Sequence, residues 1–412
     1  MLLLSTILWS ALIVGAPVQD EVPAEVPKVE RQDDTVQEGE VTEESPTAEE
    51  RLDVRISREE SFAPQGKAVQ YLVDDLNDDG SWGTHLPVSM LEAGFAIETY
   101  YSWQLAAHNL NVMALAAVPE TPEVRAALDQ AIDWMVTTKV STRRSDWDVD
   151  YVWSALYGLV SCMQLLQDPR FAPEGEATEV RAKITARAKE YLEILEKNQS
   201  WSGGWAYYDN PPFIEVPTWA TSFCTALVLP TLIDAKALGF EVEQRMLDRA
   251  QTYVKRCALP GGAFTYDWTP ITRIQGVEHI NKIEGSLGRT QVCHWALAKS
   301  GDKTITPDVI REGLEALFQH HGYLDHVRMR PVPHEGFHAN AGYFYFFAHY
   351  YAAKVINLLP AEERESWHAR LRHHVIKTQR ENGSMSDFLD TNYLVNASTS
   401  FMVLTLEEGL TR

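Results

Sequence analysis

Residues 187–205 read RAKEYLEILEKNQSWSGGW, and the fold can be predicted from the pattern in this segment. It starts with a basic, a small, two variable, an aromatic and an aliphatic residue, and it ends in a glycine turn that closes on a tryptophan. The six-residue part returns along the chain with its small residue at positions 68, 131, 188, 250, 313 and 371. Six copies at such even intervals indicate an internal structural repeat.

A glycine-containing turn follows four of the copies and ends on a large apolar side chain. In three copies this side chain, Trp82, Phe264 or Met385, lies 14 residues after the small residue, and in the third copy Trp205 lies 17 residues after it. Glycine permits the positive φ that often ends a helix, and the side chain then fills the gap between neighbouring helices. We therefore expect these residues to be structural rather than ligand-binding.

Each repeat contains two helical stretches of different character. The stretch before the turn is charged on one face, as in 176–197 and 241–256, which suits a solvated outer helix. The stretch after the turn is almost free of charge, so it has to be buried on all sides. These inner stretches are 97–117, 151–166, 218–233, 287–298, 342–358 and 393–406. The alternation predicts an all-α fold, an (α/α)6 toroid over residues 61–412, with the uncharged helices inside.

The first sixty residues differ in composition from the rest. Residues 1–16 are an apolar run ending in Val14-Gly15-Ala16, which is typical of a signal peptide and predicts export to the periplasm or the cell exterior; a buried N-terminal helix is the alternative. Residues 17–50 hold 12 acidic residues against Lys28 and Arg31 and no aromatic residue. Such a segment cannot bury enough apolar area to fold, so we predict an acidic disordered linker over 17–60.

Overall charge and cysteine content exclude several classes of protein. The chain of 412 residues has a formal net charge of −22, which repels phosphate and excludes nucleic acid as the main partner. Four cysteines in this length do not form a disulfide scaffold. Only the apolar run at residues 1–16 has the composition of a membrane segment, and it is too short for a stable span.

The repeat resembles the QW-type repeat of squalene–hopene and oxidosqualene cyclases, a toroid that the β subunits of protein prenyltransferases share. Gln199 and Gln379 match the glutamine of that repeat. The resemblance implies the toroid and an isoprenoid-type ligand. The cyclases protonate with an Asp-x-Asp-Asp motif, and the nearest match, at 146–150, lacks adjacent aspartates. The Asp-x-Cys zinc pair of the prenyltransferases does not occur, so neither activity is expected.

Three sets of polar residues are candidates for chemistry. Asp148 and Asp150 precede an inner helix, where loops converge on one mouth of the ring; they are either helix caps or include a general acid or base. Glu335 and His338 belong to a His-Glu-x-x-His match at 334–338, interrupted by Gly336. Cys224 and Cys293-His294 are similar to the zinc set of lanthionine-forming cyclases, but we expect them to pack in the core. No cofactor or metal is predicted.

Aromatic residues crowd the inner helices and are the candidate ligand-binding residues. They can stabilise a cation, stack on sugar rings or fill the centre. The set is Trp103, Trp153, Tyr157, Trp219, Tyr343 and Tyr345.

Three functions remain open from the sequence. The first is a protein that binds a small apolar or isoprenoid-like molecule in an aromatic cavity. The second is a carbohydrate-active hydrolase or lyase that uses the mouth carboxylates. The third is a metal-dependent enzyme at His334 and His338. The sequence does not decide whether the protein is an enzyme, nor its oligomeric state.

Overall fold

A computed structural model describes residues 54–86, 95–143, 150–172, 177–207, 217–268, 278–334, 336–389 and 391–410. This part of the chain is helical, with isolated β-bridges but no β-strand. Its α-helices are α1 Arg58–Asp74, α2 Ile97–Ala117, α3 Pro122–Thr137, α4 Val152–Gln167, α5 Ala177–Lys197, α6 Ser222–Ala237, α7 Gln244–Cys257, α8 Ile283–Lys299, α9 Pro307–Gln319, α10 Gly322–Val327, α11 Phe344–Ile356, α12 Ala361–Ile376 and α13 Asn392–Leu410.

The helices form two concentric rings. The inner ring runs in the order α2, α4, α6, α8, α11 and α13, and α13 packs back onto α2 and closes it. Each outer helix packs on the inner helix that precedes it in the chain, and α1 packs on α13. The short α10 is an addition between α9 and α11. The predicted (α/α)6 toroid, with the uncharged helices inside, is confirmed.

Helix α1 begins earlier than the sequence predicted. The Ser57 side chain accepts a hydrogen bond from the Glu60 backbone, and the Glu60 carboxylate accepts one from the Ser57 N–H at 2.8 Å. This capping box satisfies N–H groups that would otherwise lack partners. Residues 58–60, assigned to the linker, are therefore helical. The predicted signal peptide and the remainder of the linker up to residue 53 lie outside the described residues.

The glycine turns carry the repeat from one unit to the next. Gly80, Gly203 and Gly383 all have positive φ, of 83°, 104° and 90°. A Cβ atom added at these glycines would lie 2.6, 2.7 and 2.3 Å from a backbone carbonyl oxygen of the next outer helix. In each case that carbonyl belongs to the first residue of the next six-residue copy. The glycines are thus required both by backbone conformation and by close approach.

The aromatic residues that end these turns are structural, as expected. Trp82 and Trp205 are fully buried, and their indole N–H groups donate to backbone carbonyls of the preceding outer helix at 2.8 and 2.7 Å. The Gln199 side chain donates hydrogen bonds to the Gly203 carbonyl in its own turn and to the Met246 carbonyl in α7. Gln379 donates likewise to its own turn and to the Pro64 carbonyl in α1. The same glutamine therefore joins successive repeats, including the last to the first.

Arg372 forms hydrogen bonds that join the two ends of the described chain. Its side chain is 2 % exposed. The guanidinium donates to the Glu365 carboxylate at 2.6 and 3.1 Å, to the Gly409 carbonyl at 3.0 Å and to the Ile56 carbonyl at 3.3 Å. One side chain thus holds α12, the end of α13 and the segment before α1 together.

We expect the Arg372→Ala variant to lose roughly 1–3 kcal/mol of unfolding free energy, because the buried Gly409 carbonyl is left without its donor. Urea denaturation followed by circular dichroism measures this loss. Arg125→Ala is the matched control, since Arg125 pairs with Asp129 at 2.8 Å on the surface and such pairs contribute about 0–1 kcal/mol. Equal losses in the two variants would contradict the role of Arg372 in joining the two ends of the described chain.

All four cysteines are buried and free of disulfides, which agrees with a packing role. Among the described helices, none has the length and apolarity needed to cross a bilayer.

Candidate functional site

Asp150 stands at the N-terminal end of inner helix α4, in an unusual conformation. Its φ is +62°, a left-handed conformation that aspartate tolerates better than most residues. Its Oδ2 accepts a hydrogen bond from the Trp103 indole N–H in α2 at 3.2 Å, and its carbonyl accepts one from the Ser102 hydroxyl at 3.1 Å. Because such conformations concentrate at functional sites, Asp150 is a site candidate. Asp148 lies outside the described residues.

The environment of Asp150 favours a neutral carboxyl group. Burial raises the pKa of Asp150 to about 7, and the hydrogen bond from Trp103 opposes this rise only in part. The residue nevertheless keeps partial solvent exposure. A partly exposed carboxyl with a pKa near neutrality can donate or accept a proton under physiological conditions.

Tyr343 lies on the opposite side of the ring, just before α11. Its hydroxyl is 3.0 Å from His334 Nε2, and His334 Nδ1 is 2.9 Å from the Ala339 carbonyl. Since a carbonyl only accepts, Nδ1 carries the proton and Nε2 accepts from Tyr343. Burial raises the pKa of Tyr343 well above its usual value, and the nearby charges of Tyr266 and Asp150 raise it further. The charge of Asp150 thus acts on Tyr343 from the other side of the ring.

Further tyrosines continue this polar layer. The hydroxyls of Tyr207 and Tyr266 are 3.2 Å apart, and the guanidinium carbon of Arg289 lies 5.4 Å from the Tyr266 ring centroid. Arg289 is buried and donates to three backbone carbonyls, so its charge is fixed behind the tyrosines. Burial lowers the pKa of Arg289 to about 10, which leaves it charged near neutral pH.

Trp153 and Tyr207 provide flat aromatic surfaces in the same layer. Their rings are stacked with centroids 5.8 Å apart, and Trp153 also stacks on Tyr157 at 5.8 Å. Trp219 and Tyr207 pack edge to face, with ring centroids 5.4 Å apart. The residues of this layer, which we call the mouth cluster, share partial solvent exposure. They are Trp103, Asp150, Trp153, Tyr207, Trp219, Tyr266, His334 and Tyr343.

Below the mouth cluster, the centre of the ring is filled. Phe223 in α6 contacts Phe347 in α11 across α8, with centroids 6.2 Å apart. Tyr157 in α4 contacts Phe401 in α13 across α2 at 6.0 Å, and Phe347 contacts Phe401 at 6.1 Å. The first two pairs join inner helices that are not neighbours in the ring, so these rings meet near the axis. The predicted aromatic cavity is therefore, at this depth, an aromatic plug.

A cavity lies beyond the plug, at the C-terminal ends of the inner helices. Its volume is about 540 Å³, and residues from all six inner helices line it. Lys354 is paired with Glu408 there at 3.0 Å and lies 4.9 Å from the Tyr350 ring centroid. This end of the ring was not singled out by the sequence.

Two predicted site residues lie elsewhere. Tyr345 faces the outer ring, because its hydroxyl donates to the His374 carbonyl in α12 at 2.9 Å. His338 is buried beside Tyr323, with ring centroids 4.6 Å apart, and borders a separate cavity of about 480 Å³. Glu335 lies outside the described residues.

The His-Glu-x-x-His match does not form a zinc-protease helix. His334 and Ala339 both have positive φ, so the segment is a series of turns. Both ring nitrogens of His334 are used by Ala339 and Tyr343. The two histidines of the match therefore do not share a metal position.

Sequence reasoning missed Asp387, a second carboxyl whose pKa is raised to about 7. Burial raises the pKa of Asp387 to about 7, while the Ser398 hydroxyl donates to it at 2.9 Å. Unlike Asp150 it is buried, at 4 % exposure. A signal existed in the repeat, because Asp387 lies two residues after the side chain that ends its turn, and Tyr207 and Tyr266 occupy the same position in their repeats.

Solved structures with this architecture include the α-1,6-mannanase GH76A of Salegentibacter sp. HEL1_6, with a TM-score of 0.51 and 11 % identity over 84 % of this chain and 98 % of that chain. A possible GH105 member from Klebsiella pneumoniae subsp. pneumoniae MGH 78578 has a TM-score of 0.50 and 12 % identity over 90 % and 99 %. The type II terpene cyclase MstE from Scytonema has a TM-score of 0.45 and 15 % identity over 86 % and 99 %. The fold is an α/α toroid.

No protein-family model matches the chain, and no curated protein does. At these identities the solved structures establish the fold and leave the activity to the site. One of the matched structures is an inactive variant of the mannanase, with two consecutive aspartates replaced by alanine, in complex with α-1,6-mannotetrose.

Proposed function

We propose that this protein is a carbohydrate-active hydrolase or lyase whose site is the mouth cluster. The observation that carries the proposal is Asp150, a partly exposed carboxyl with a pKa of about 7 among aromatic side chains. A group that titrates near neutral pH is suited to proton transfer, and a raised pKa is what a carboxylic general acid needs. Residues 1–16 support export as part of the proposal.

The surrounding residues suit a sugar substrate. Trp153 and Tyr207 are aromatic side chains with partial solvent exposure, and a sugar can pack its apolar C–H groups against such side chains. Asp150 stands on one side of the mouth and the Tyr343–His334 pair on the other. His334 Nε2 accepts the hydrogen bond of the Tyr343 hydroxyl, which fixes the orientation of that hydroxyl at the mouth.

The solved structures favour the same class. Of the matches at or above a TM-score of 0.50 that we report, one is described as an α-1,6-mannanase, with α-1,6-mannotetrose bound to its inactive variant, and the other as a possible member of the GH105 family. The alternative, an apolar or isoprenoid-like ligand in the centre, needs room that the described rings of the plug already fill. We therefore place carbohydrate first and the apolar ligand second.

The experiment that tests this function is a substrate screen with the mature protein. We expect cleavage of at least one member of a panel containing α-1,6-mannan and uronate-rich polysaccharides, detected as new reducing ends. An added absorbance from an unsaturated product would identify a lyase, and its absence a hydrolase. Failure of every polysaccharide to be cleaved or to bind in calorimetry, together with saturable binding of a prenyl alcohol, would favour the second function.

A further inference from the structure

The cavity beyond the plug has no part in the proposed function. It has a volume of about 540 Å³, within the range of roughly 300–1,000 Å³ that is typical of small-molecule sites. The aromatic plug separates it from the mouth cluster. A molecule bound in this cavity, which we call the far cavity, therefore does not reach Asp150.

The floor of the far cavity is apolar. It includes Met113, Met163, Leu227 and Leu404, which come from four inner helices and are each at most 3 % exposed. Trp295 in α8 adds an aromatic side chain that keeps partial solvent exposure. The floor therefore suits a ligand that has apolar C–H groups to pack against it.

Charged side chains surround this floor, and the protein pairs them internally. Lys354 lies 3.0 Å from Glu408, with side chains 20 % and 13 % exposed, and Lys299 lies 3.0 Å from Asp234. Partly buried ion pairs add little to stability, because the loss of hydration offsets their attraction. Stability alone thus does not account for these pairs, which present hydrogen-bond donors and acceptors to the far cavity.

The charges of the far cavity do not suit a charged ligand. The described lining residues include four carboxyl groups and two ammonium groups, so the far cavity does not attract an anion. A cation would be favoured beside the rings of Tyr350 and Trp295, but the Lys354 ammonium already lies 4.9 and 5.2 Å from their centroids.

A wholly apolar ligand does not suit the far cavity either. Such a ligand would cover the polar groups of the rim without offering them hydrogen bonds, which costs free energy. The chemistry that matches both the floor and the rim is a neutral molecule with apolar C–H groups and several hydroxyl groups.

We infer that the far cavity is a second binding site, which takes a neutral sugar or a short neutral oligosaccharide. The C–H groups of the sugar pack against the floor and Trp295. Its hydroxyls accept hydrogen bonds from the ammonium groups of the rim and donate to the carboxylates, so both ion pairs keep their partners. The inference goes beyond the proposed function, because it requires binding in the far cavity and no cleavage there.

The test is isothermal titration calorimetry of the mature protein with mannose, glucose, galactose, maltose and cellobiose. We expect saturable one-to-one binding of at least one of these sugars. Trp295→Leu should weaken this binding about ten-fold, because it removes aromatic contact surface from the far cavity. Trp201→Leu is the matched control, since Trp201 is 73 % exposed and lines neither the far cavity nor the mouth cluster. Trp201→Leu and the mouth variant Trp153→Leu should both bind the sugar like the wild type.

Lys354→Met provides a gain of binding that a misfolded protein does not give. Methionine is also a long side chain, but it removes the ammonium from its place beside Tyr350, Trp295 and Glu408. We expect this variant to bind choline about ten-fold more tightly than the wild type, because a quaternary ammonium can then occupy the aromatic position. Its sugar binding should be weaker than that of the wild type. Circular dichroism confirms the fold of each variant.

Three results would overturn the inference. The first is the absence of saturable sugar binding in the wild type. The second is equal sugar affinity in Trp295→Leu and Trp201→Leu, or equal weakening in Trp295→Leu and Trp153→Leu. The third is no gain of choline binding in Lys354→Met. Sugar binding that is lost in Trp295→Leu, without cleavage of any polysaccharide by the wild type, would support the inference and count against the proposed function alone.

Discussion

Asp150→Asn is expected to lower kcat on the polysaccharide identified by the screen by about 10²–10⁴-fold, because the amide cannot transfer a proton. The dependence of wild-type activity on pH should also show a limb near pH 7. As a general acid, Asp150 works when protonated, so activity should fall as the pH rises through about 7. That limb should vanish in Asp150→Asn.

Trp103→Phe keeps an aromatic side chain but replaces the indole and removes its hydrogen bond to Asp150. Because that bond lowers the pKa of Asp150, the limb should move to higher pH with a smaller change in kcat. Asp387→Asn is the matched control: its carboxyl also has a pKa of about 7, but it is sealed from solvent, and activity should stay within a few-fold. A full loss in Asp387→Asn with retention in Asp150→Asn would contradict the assignment.

A stability measurement tests the same pKa without any substrate. An unfolded aspartate titrates near 4, and the folded Asp150 near 7. Between these values the native state holds a proton that the unfolded state has lost, so Asp150 contributes unfolding free energy that is lost as the pH rises from about 4 to about 7. The difference in unfolding free energy between the wild type and Asp150→Asn should therefore change over this pH range. An unchanged pH dependence in that variant would show that Asp150 has an ordinary pKa.

The ring could be predicted from the sequence because each repeat carries the same local pattern. The six-residue copies, the turn glycines and the uncharged stretches recur in register, and a closed ring is the arrangement that buries all the uncharged helices. The start of α1 escaped prediction because it is set by a polar capping box at Ser57 and Glu60 rather than by apolar residues.

The interior of the ring could be predicted only in part. Tyr343 and Tyr345 lie in one aromatic run, yet Tyr343 belongs to the mouth and Tyr345 contacts the outer ring. Two residues turn roughly 200° around a helix, and a run that is aromatic on every face gives no indication of which side points inward. Asp150 could be proposed from its place before an inner helix. Its left-handed backbone and its bond to Trp103 are tertiary features that no motif states.

Gly383→Ala should cause one of the largest losses of stability available to a single methyl group in this protein. Gly383 has a φ of +90°, and an added Cβ would lie 2.3 Å from the Lys67 carbonyl oxygen in α1. The left-handed conformation alone costs an alanine about 1–2 kcal/mol. The clash with backbone has to displace α1 against the last turn, so we expect a total loss of about 3 kcal/mol or more.

Gly262→Ala separates these two effects. Gly262 occupies the same position in the fourth repeat and has the same φ of +90°, but a Cβ there meets no atom within 4 Å. The unfolding free energy lost in Gly262→Ala should therefore be the conformational cost alone, about 1–2 kcal/mol. Urea midpoints of the two variants measure the difference, which is the contribution of close approach between the last and first repeats. Equal midpoints would mean that the ring does not close through this contact, and Gly383 would then be only a turn residue.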